Sequence, residues 1–144
     1  MNDDRRLPPD FDWVTARAQC SAETIFDELR RLALANVERA NALRGGTDPK
    51  EPRFRFKDME RSYANGFVIT DSFASVRRAV SVRASGDTIH VEPTQGLEFT
   101  AVLTLTDAGD CMLRVGNAVL DEWQFLRRAL EGLFFDGDGV RREG

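Results

Sequence analysis

A chain of 144 residues that is 42% hydrophobic and 31% charged has the size and composition of one globular domain, able to fold without covalent or metal staples. Its formal net charge of -4 supplies no long-range attraction for nucleic acid or an anionic membrane, so neither is expected as a partner. The opening MNDDRRLPPD holds no apolar segment that reads as a signal peptide or membrane span, and Cys20 and Cys111 are the only cysteines. The expected setting is therefore the cytoplasm, with both thiols free, buried and inert.

Residues 1–12, rich in Asp, Arg and Pro, read as a flexible arm that anchors through Phe11 and Trp13. Ser21 is placed to cap a helix. Ile25, Leu29, Leu32, Asn36, Ala40 and Leu43 recur three or four positions apart after it, and Gly45 and Gly46 stop the run. Asn36 lies within this apolar stripe, where it either fixes the register of a helix dimer or hydrogen-bonds at the edge of the core.

Residues 47–64 form a linker or an edge strand, punctuated by Pro49 and Pro52. Arg53, Phe54, Arg55, Phe56 and Lys57 alternate cation and ring. That pattern fits an edge strand with a basic outer face, and it also fits a weak platform for single-stranded nucleic acid. The acidic balance of the chain favours the strand. Asn65-Gly66 then signals a turn into FVITDSF.

The next fifty residues constrain their own pairing. Gly86-Asp87 suits a two-residue hairpin that sets Val82 opposite Val91 and Ala84 opposite Ile89. Thr94-Gln95-Gly96 and Asp107-Ala108-Gly109 suit three-residue loops with Gly in the left-handed position. They set Val91 against Phe99, Ile89 against Ala101, Leu105 against Cys111, Leu103 against Leu113 and Ala101 against Val115. The three turns together keep Val80, Val82, Ile89, Val91, Leu97, Phe99, Leu103, Leu105, Leu113 and Val115 on one face, which predicts an antiparallel meander.

Such a sheet needs a cover on its apolar face. A C-terminal helix capped by Asn117 supplies one, with Val119, Trp123, Leu126, Leu130 and Leu133 as its stripe and Asp136-Gly137 as its end. Phe125 and Phe135 fall off that stripe. They pack against the first helix or the linker, or they present a surface to a partner.

No glycine-rich phosphate loop, nucleophile elbow, C-x-x-C pair or H-E-x-x-H motif is present, and His90 is the single histidine. No catalytic residue, resident metal or cofactor is assigned. The closing DGDGVRREG lacks the Gly and final Glu of a calcium loop. The register nevertheless gathers Arg83, His90, Glu92, Glu98 and Thr100 on the outer face, with Glu92 opposite Glu98. Opposed like charges are unfavourable. The pair holds a divalent cation together with His90, or one Glu acts as an acid, or both are solvated beside Arg77 or Arg83. A flat face with no wall to exclude water favours the last reading.

The expected protein is one α+β domain: an antiparallel meander of about five strands with N-terminal and C-terminal helices packed on its apolar face. No motif ties it to a known family. Its expected role is that of a non-enzymatic binding or adaptor protein, acting as a homodimer, with Phe125, Phe135 and Asn36 at the interface. Small-molecule or metal binding at Arg83, His90, Glu92, Glu98 and Thr100 is the alternative, and weak single-stranded nucleic-acid binding is the second.

Overall fold

The computed structural model describes residues 7–46, 48, 50–61 and 64–136. Two helices, α1 (Trp13–Gln19) and α2 (Ala22–Arg44), precede seven strands: β1 (Phe54–Arg61), β2 (Ala64–Asp71), β3 (Ala79–Ser85), β4 (Thr88–Pro93), β5 (Phe99–Leu105), β6 (Cys111–Val115) and β7 (Ala118–Leu120). Helix α3 (Glu122–Glu131) and a π turn (Gly132–Asp136) follow. The strands form one antiparallel sheet in the order β1-β2-β3-β4-β5-β6-β7, a pure meander. The architecture is α+β, helices on a sheet, with seven strands rather than five.

The extra strands lie at the two edges. Phe54 and Phe56 of β1 turn inward while Arg55 and Lys57 are exposed, so the cation–ring run is the edge strand. Asn65 and Gly66, expected in a turn, are ladder residues paired with Glu60 and Met59, and the connection lies before them, outside the described residues. At the other edge, β7 takes Ala118–Leu120, expected at the start of the last helix.

The hairpin registers agree with the turn chemistry. Val82 pairs with Val91, Ala84 with Ile89, Val91 with Phe99, Ile89 with Ala101, Leu103 with Leu113 and Leu105 with Cys111. Gly86, Gly96 and Gly109 all have positive φ, the conformation that these loops demand and that other residues adopt at a cost. Leu97 is an exception to the expected face. It is 89% exposed, because residues 94–98 leave the ladder and strand alternation no longer governs them.

Helices α2 and α3 bury the core of the expected stripe, Ile25, Leu29 and Ala40 in one and Leu126, Leu130 and Leu133 in the other, but the buried face is shifted to one side of it. In α2 the buried line is Ile25, Leu29, Ala33 and Val37, with Ala22, Phe26 and Ala40 beside it. This is an i, i+4 ridge, which runs obliquely to the helix axis. Asn36 and Leu43, expected on the stripe, are left exposed at its flank. In α3 the cap is Asp121, which forms a capping box with Gln124, instead of Asn117. Its buried face is Phe125, Leu126, Ala129 and Leu130, continued by Leu133 and Phe134 in the π turn, while Val119 and Trp123 are exposed.

The cysteines are also not as expected. Cys20 and Cys111 form a disulfide, with Cα atoms 5.3 Å apart, and no cysteine is free. The bond ties the junction of α1 and α2 to β6 across 91 residues of chain. The thiols expected to be free are thus paired, in a bond of a kind that persists chiefly where the surroundings are oxidising. No helix among the described residues is long and apolar enough to cross a membrane.

Polar anchors hold α2 on the edge strand. The Asn41 amide donates to the Phe54 carbonyl at 2.9 Å and accepts from the Phe54 N–H at 2.8 Å, so one side chain imitates a further strand at an otherwise unpaired edge. Arg30 bonds both carboxylate oxygens of Asp58, Nε to Oδ1 at 2.7 Å, with its guanidinium 5.7 Å from the Phe56 ring centre. The arm is partly tied down as well. Leu7 and Phe11 lie over Gly109 in the β5–β6 turn, whereas Trp13, expected as an anchor, is exposed.

Candidate functional site

On the outer face of the sheet, β4 carries His90 and Glu92 two residues apart and hence side by side, and β3 and β5 supply neighbours in register. Arg83 pairs with His90, and His90 with Thr100. Arg83 reaches Glu92, Nη2 to Oε2, at 3.1 Å. His90 Nε2 is 3.3 Å from Glu92 Oε2 and 3.3 Å from Glu98 Oε1. The other ring nitrogen, Nδ1, is 2.7 Å from the Thr100 hydroxyl oxygen. All five residues named from the sequence are therefore neighbours: strand register aligns Arg83, His90 and Thr100, and Glu98 follows just past the last ladder pair, Val91 with Phe99. Gly66 adds a detail the sequence did not flag. A Cβ there would stand 3.1 Å from both Arg83 Cγ and Met59 Sδ, so the bare position leaves room for the Arg83 stem beside its β2 partner.

The opposite side of the sheet holds a cavity of about 790 Å³ between the β4–β5 loop and the end of α3. Val80, Phe99, Ala129 and Leu133 supply its apolar floor, Leu97 its lip, and Arg78, Arg128 and Asp136 its charges. Arg78 is fixed. Its Nη2 donates to the Gly132 carbonyl at 2.9 Å, its Nη1 to Gln95 Oε1 at 3.1 Å, and its Nε is 3.9 Å from Asp71. These contacts satisfy an orphan carbonyl at the helix end and hold a positive charge at the cavity edge. Arg128 is exposed and has no acidic partner among the described residues. Sequence reading missed this cavity because its walls come from three separated segments. The one local signal was an apolar Leu97 beside a turn glycine.

The residues expected at a partner surface are divided. Phe125 is fully buried and meets Phe99 edge-on, ring centres 5.8 Å apart, so it belongs to the core and not to an interface. Asn36 and Phe135 do share a feature, a groove of about 330 Å³ between α2 and α3 that Leu43 also lines. Phe135 is 49% exposed, with the Arg44 guanidinium 5.0 Å from its ring centre.

The nucleic-acid strip does not assemble as a stacking platform. Phe54 is buried against Phe134, and Arg53 is committed to Asp71. Phe56 is stacked on Phe67. Only Arg55 and Lys57 of that run are exposed. Of the closing acidic stretch only Asp136 lies within the described residues.

The fold and these cavities define the class: an α+β domain with a ligand-sized cleft under its last helix. Comparison with protein-family models, curated proteins and solved structures finds no match.

Proposed function

We propose that this chain is a non-enzymatic binding protein whose ligand is a small amphipathic anion, held in the cleft between the β4–β5 loop and the end of α3. The observation that carries the reading is the pairing of an apolar floor, Val80, Phe99, Ala129 and Leu133, with two arginines, Arg78 and Arg128, at a cavity of about 790 Å³. Pockets of this size, mostly apolar with a few placed polar groups, are the usual seats of small ligands. An apolar body against the floor removes its surface from water. A carboxylate, sulfonate or phosphate then meets the Arg128 guanidinium, which offers a fork of donors to a planar or tetrahedral anion.

This keeps the non-enzymatic class expected from the sequence and moves the ligand away from a Phe125 surface, since Phe125 lies in the core. The Cys20–Cys111 bond supports an oxidising compartment in place of the cytoplasm.

The test is a fluorescence titration with 1-anilinonaphthalene-8-sulfonate, an apolar ring system bearing one anion, on the folded protein. Saturable binding by the wild type, weakened about tenfold or more in Arg128→Glu, is the expected result. Arg127→Glu serves as the control, because Arg127 lines the other groove and pairs with Glu131 at 3.2 Å. Equal loss in both variants, or loss in neither, overturns the cleft as the site.

A further inference from the structure

We infer that His90, Glu92 and Glu98 form a binding site for a divalent transition-metal cation, independent of the cleft and on the opposite face of the sheet. One ligand atom from each, His90 Nε2, Glu92 Oε2 and Glu98 Oε1, lies within 4.8 Å of the others. A cation about 2.0–2.2 Å from each donor places neighbouring donors roughly 3.0–3.5 Å apart. The two His–carboxylate separations are already 3.3 Å. Small rotations of the Glu98 side chain, which is 63% exposed, complete the set.

Three features distinguish this cluster from an ordinary surface ion network. Glu92 and Glu98 converge on one point although like charges repel, and Arg83 bonds only Glu92. Glu98 has no basic neighbour except His90 among the described residues. The His90 ring is also held from behind. With the Nδ1 proton donated to Thr100 Oγ1, 2.7 Å away, the lone pair of Nε2 points between the two carboxylates, the second-shell arrangement that orients a metal-binding histidine.

The donor chemistry narrows the ion. One imidazole nitrogen with two carboxylates suits zinc, manganese, cobalt or iron, while calcium and magnesium prefer oxygen donors alone. Three protein ligands on a half-exposed face leave the remaining positions to water. The placement has a structural consequence, since Glu92 adjoins Pro93 and Glu98 stands between Leu97 and Phe99, all three of which line the cleft. A cation shared by the two glutamates fastens both stems of the β4–β5 loop.

Isothermal titration of untagged protein with zinc chloride, and with manganese chloride in parallel, tests the site. The expected result is one cation per chain, with affinity reduced at least about tenfold in Glu98→Gln and in Thr100→Val, and increased in Arg83→Gln because Glu92 is freed. Hydrogen exchange of the 94–98 amides slows when zinc is bound to the wild type. Glu98 is exposed, so Glu98→Gln keeps the fold, which thermal unfolding verifies. Absence of saturable binding, or equal binding by the wild type and Glu98→Gln, overturns the site. Binding without slower exchange overturns the fastening of the loop. Arg128→Glu leaves zinc affinity unchanged, so failure here is separate from failure of the cleft.

Discussion

Arg53 grips both carboxylate oxygens of Asp71, Nε to Oδ1 at 3.1 Å and Nη2 to Oδ2 at 3.2 Å, with the two side chains only 11% and 2% exposed. The Phe54 and Phe73 ring centres lie 4.9 Å and 5.9 Å from the guanidinium carbon. Asp71 also accepts from the Phe73 N–H at 3.1 Å and has Arg78 close by. One buried carboxylate thus organises the pole at which β1 begins, β2 ends and α3 terminates.

Removing that carboxylate takes away the counter-charge that Asp71 supplies to a buried guanidinium, and breaking a buried pair in this way typically costs about 3–5 kcal/mol. Asp71→Ala is therefore expected to lose about that much, a large share of the roughly 5–15 kcal/mol that keeps a domain folded. Chemical denaturation monitored by circular dichroism measures it. A loss below about 1 kcal/mol would show that the pair contributes little.

Phe125 and Phe135 looked alike from their sequence and should behave differently. Phe125→Ala empties a fully buried position in contact with Phe99 and should cost roughly 3–5 kcal/mol. Phe135→Ala removes a half-exposed ring whose neighbour, Arg44, still bonds the Phe134 carbonyl, and should cost about 1 kcal/mol or less. Paired unfolding curves of the two variants decide it.

The disulfide acts mainly on the unfolded chain, whose freedom it limits across 91 residues. Replacing both cysteines by Ala, or reducing the bond, is expected to lower stability by roughly 2–4 kcal/mol. Non-reducing peptide mapping checks that the bond exists. Unfolding with and without reductant gives its size.

Acid should weaken the contact between α2 and β1. Hydrogen bonds from Arg30 hold the Asp58 carboxyl below its ordinary 3.8. The unfolded chain then binds more protons than the folded one between the two values, so stability falls as pH drops through that window and is complete above it. Both side chains are 40% exposed, which limits the pair to about 1 kcal/mol or less. Asp58→Asn should flatten this part of the stability profile between about pH 5 and pH 2.

The central meander was legible because its determinants are local. A positive-φ glycine in a tight loop fixes which residues face each other, and pairing then follows along the strands. Two of these loops, β3–β4 and β4–β5, account for the cross-strand row of Arg83, His90 and Thr100 and for the approach of Glu92 to Glu98. The edge strands were harder to read. Asn65-Gly66 carries a turn signature inside β2, and Ala118–Leu120 is too short to show alternation.

The sequence by itself determined the α+β class, the inner hairpin registers and the neighbours on the outer face, since these depend on turn geometry and a two-residue period. Tertiary packing decided which face of each helix is buried. Helix α2 lies along an oblique ridge that reaches Ala33 and Val37, and α3 keeps Leu126 and Leu130 of its expected stripe while Phe125 and Ala129 turn inward in place of Trp123. It also decided the Cys20–Cys111 bond and the cleft, because both join segments far apart in the chain and no local rule of conformation acts over that separation.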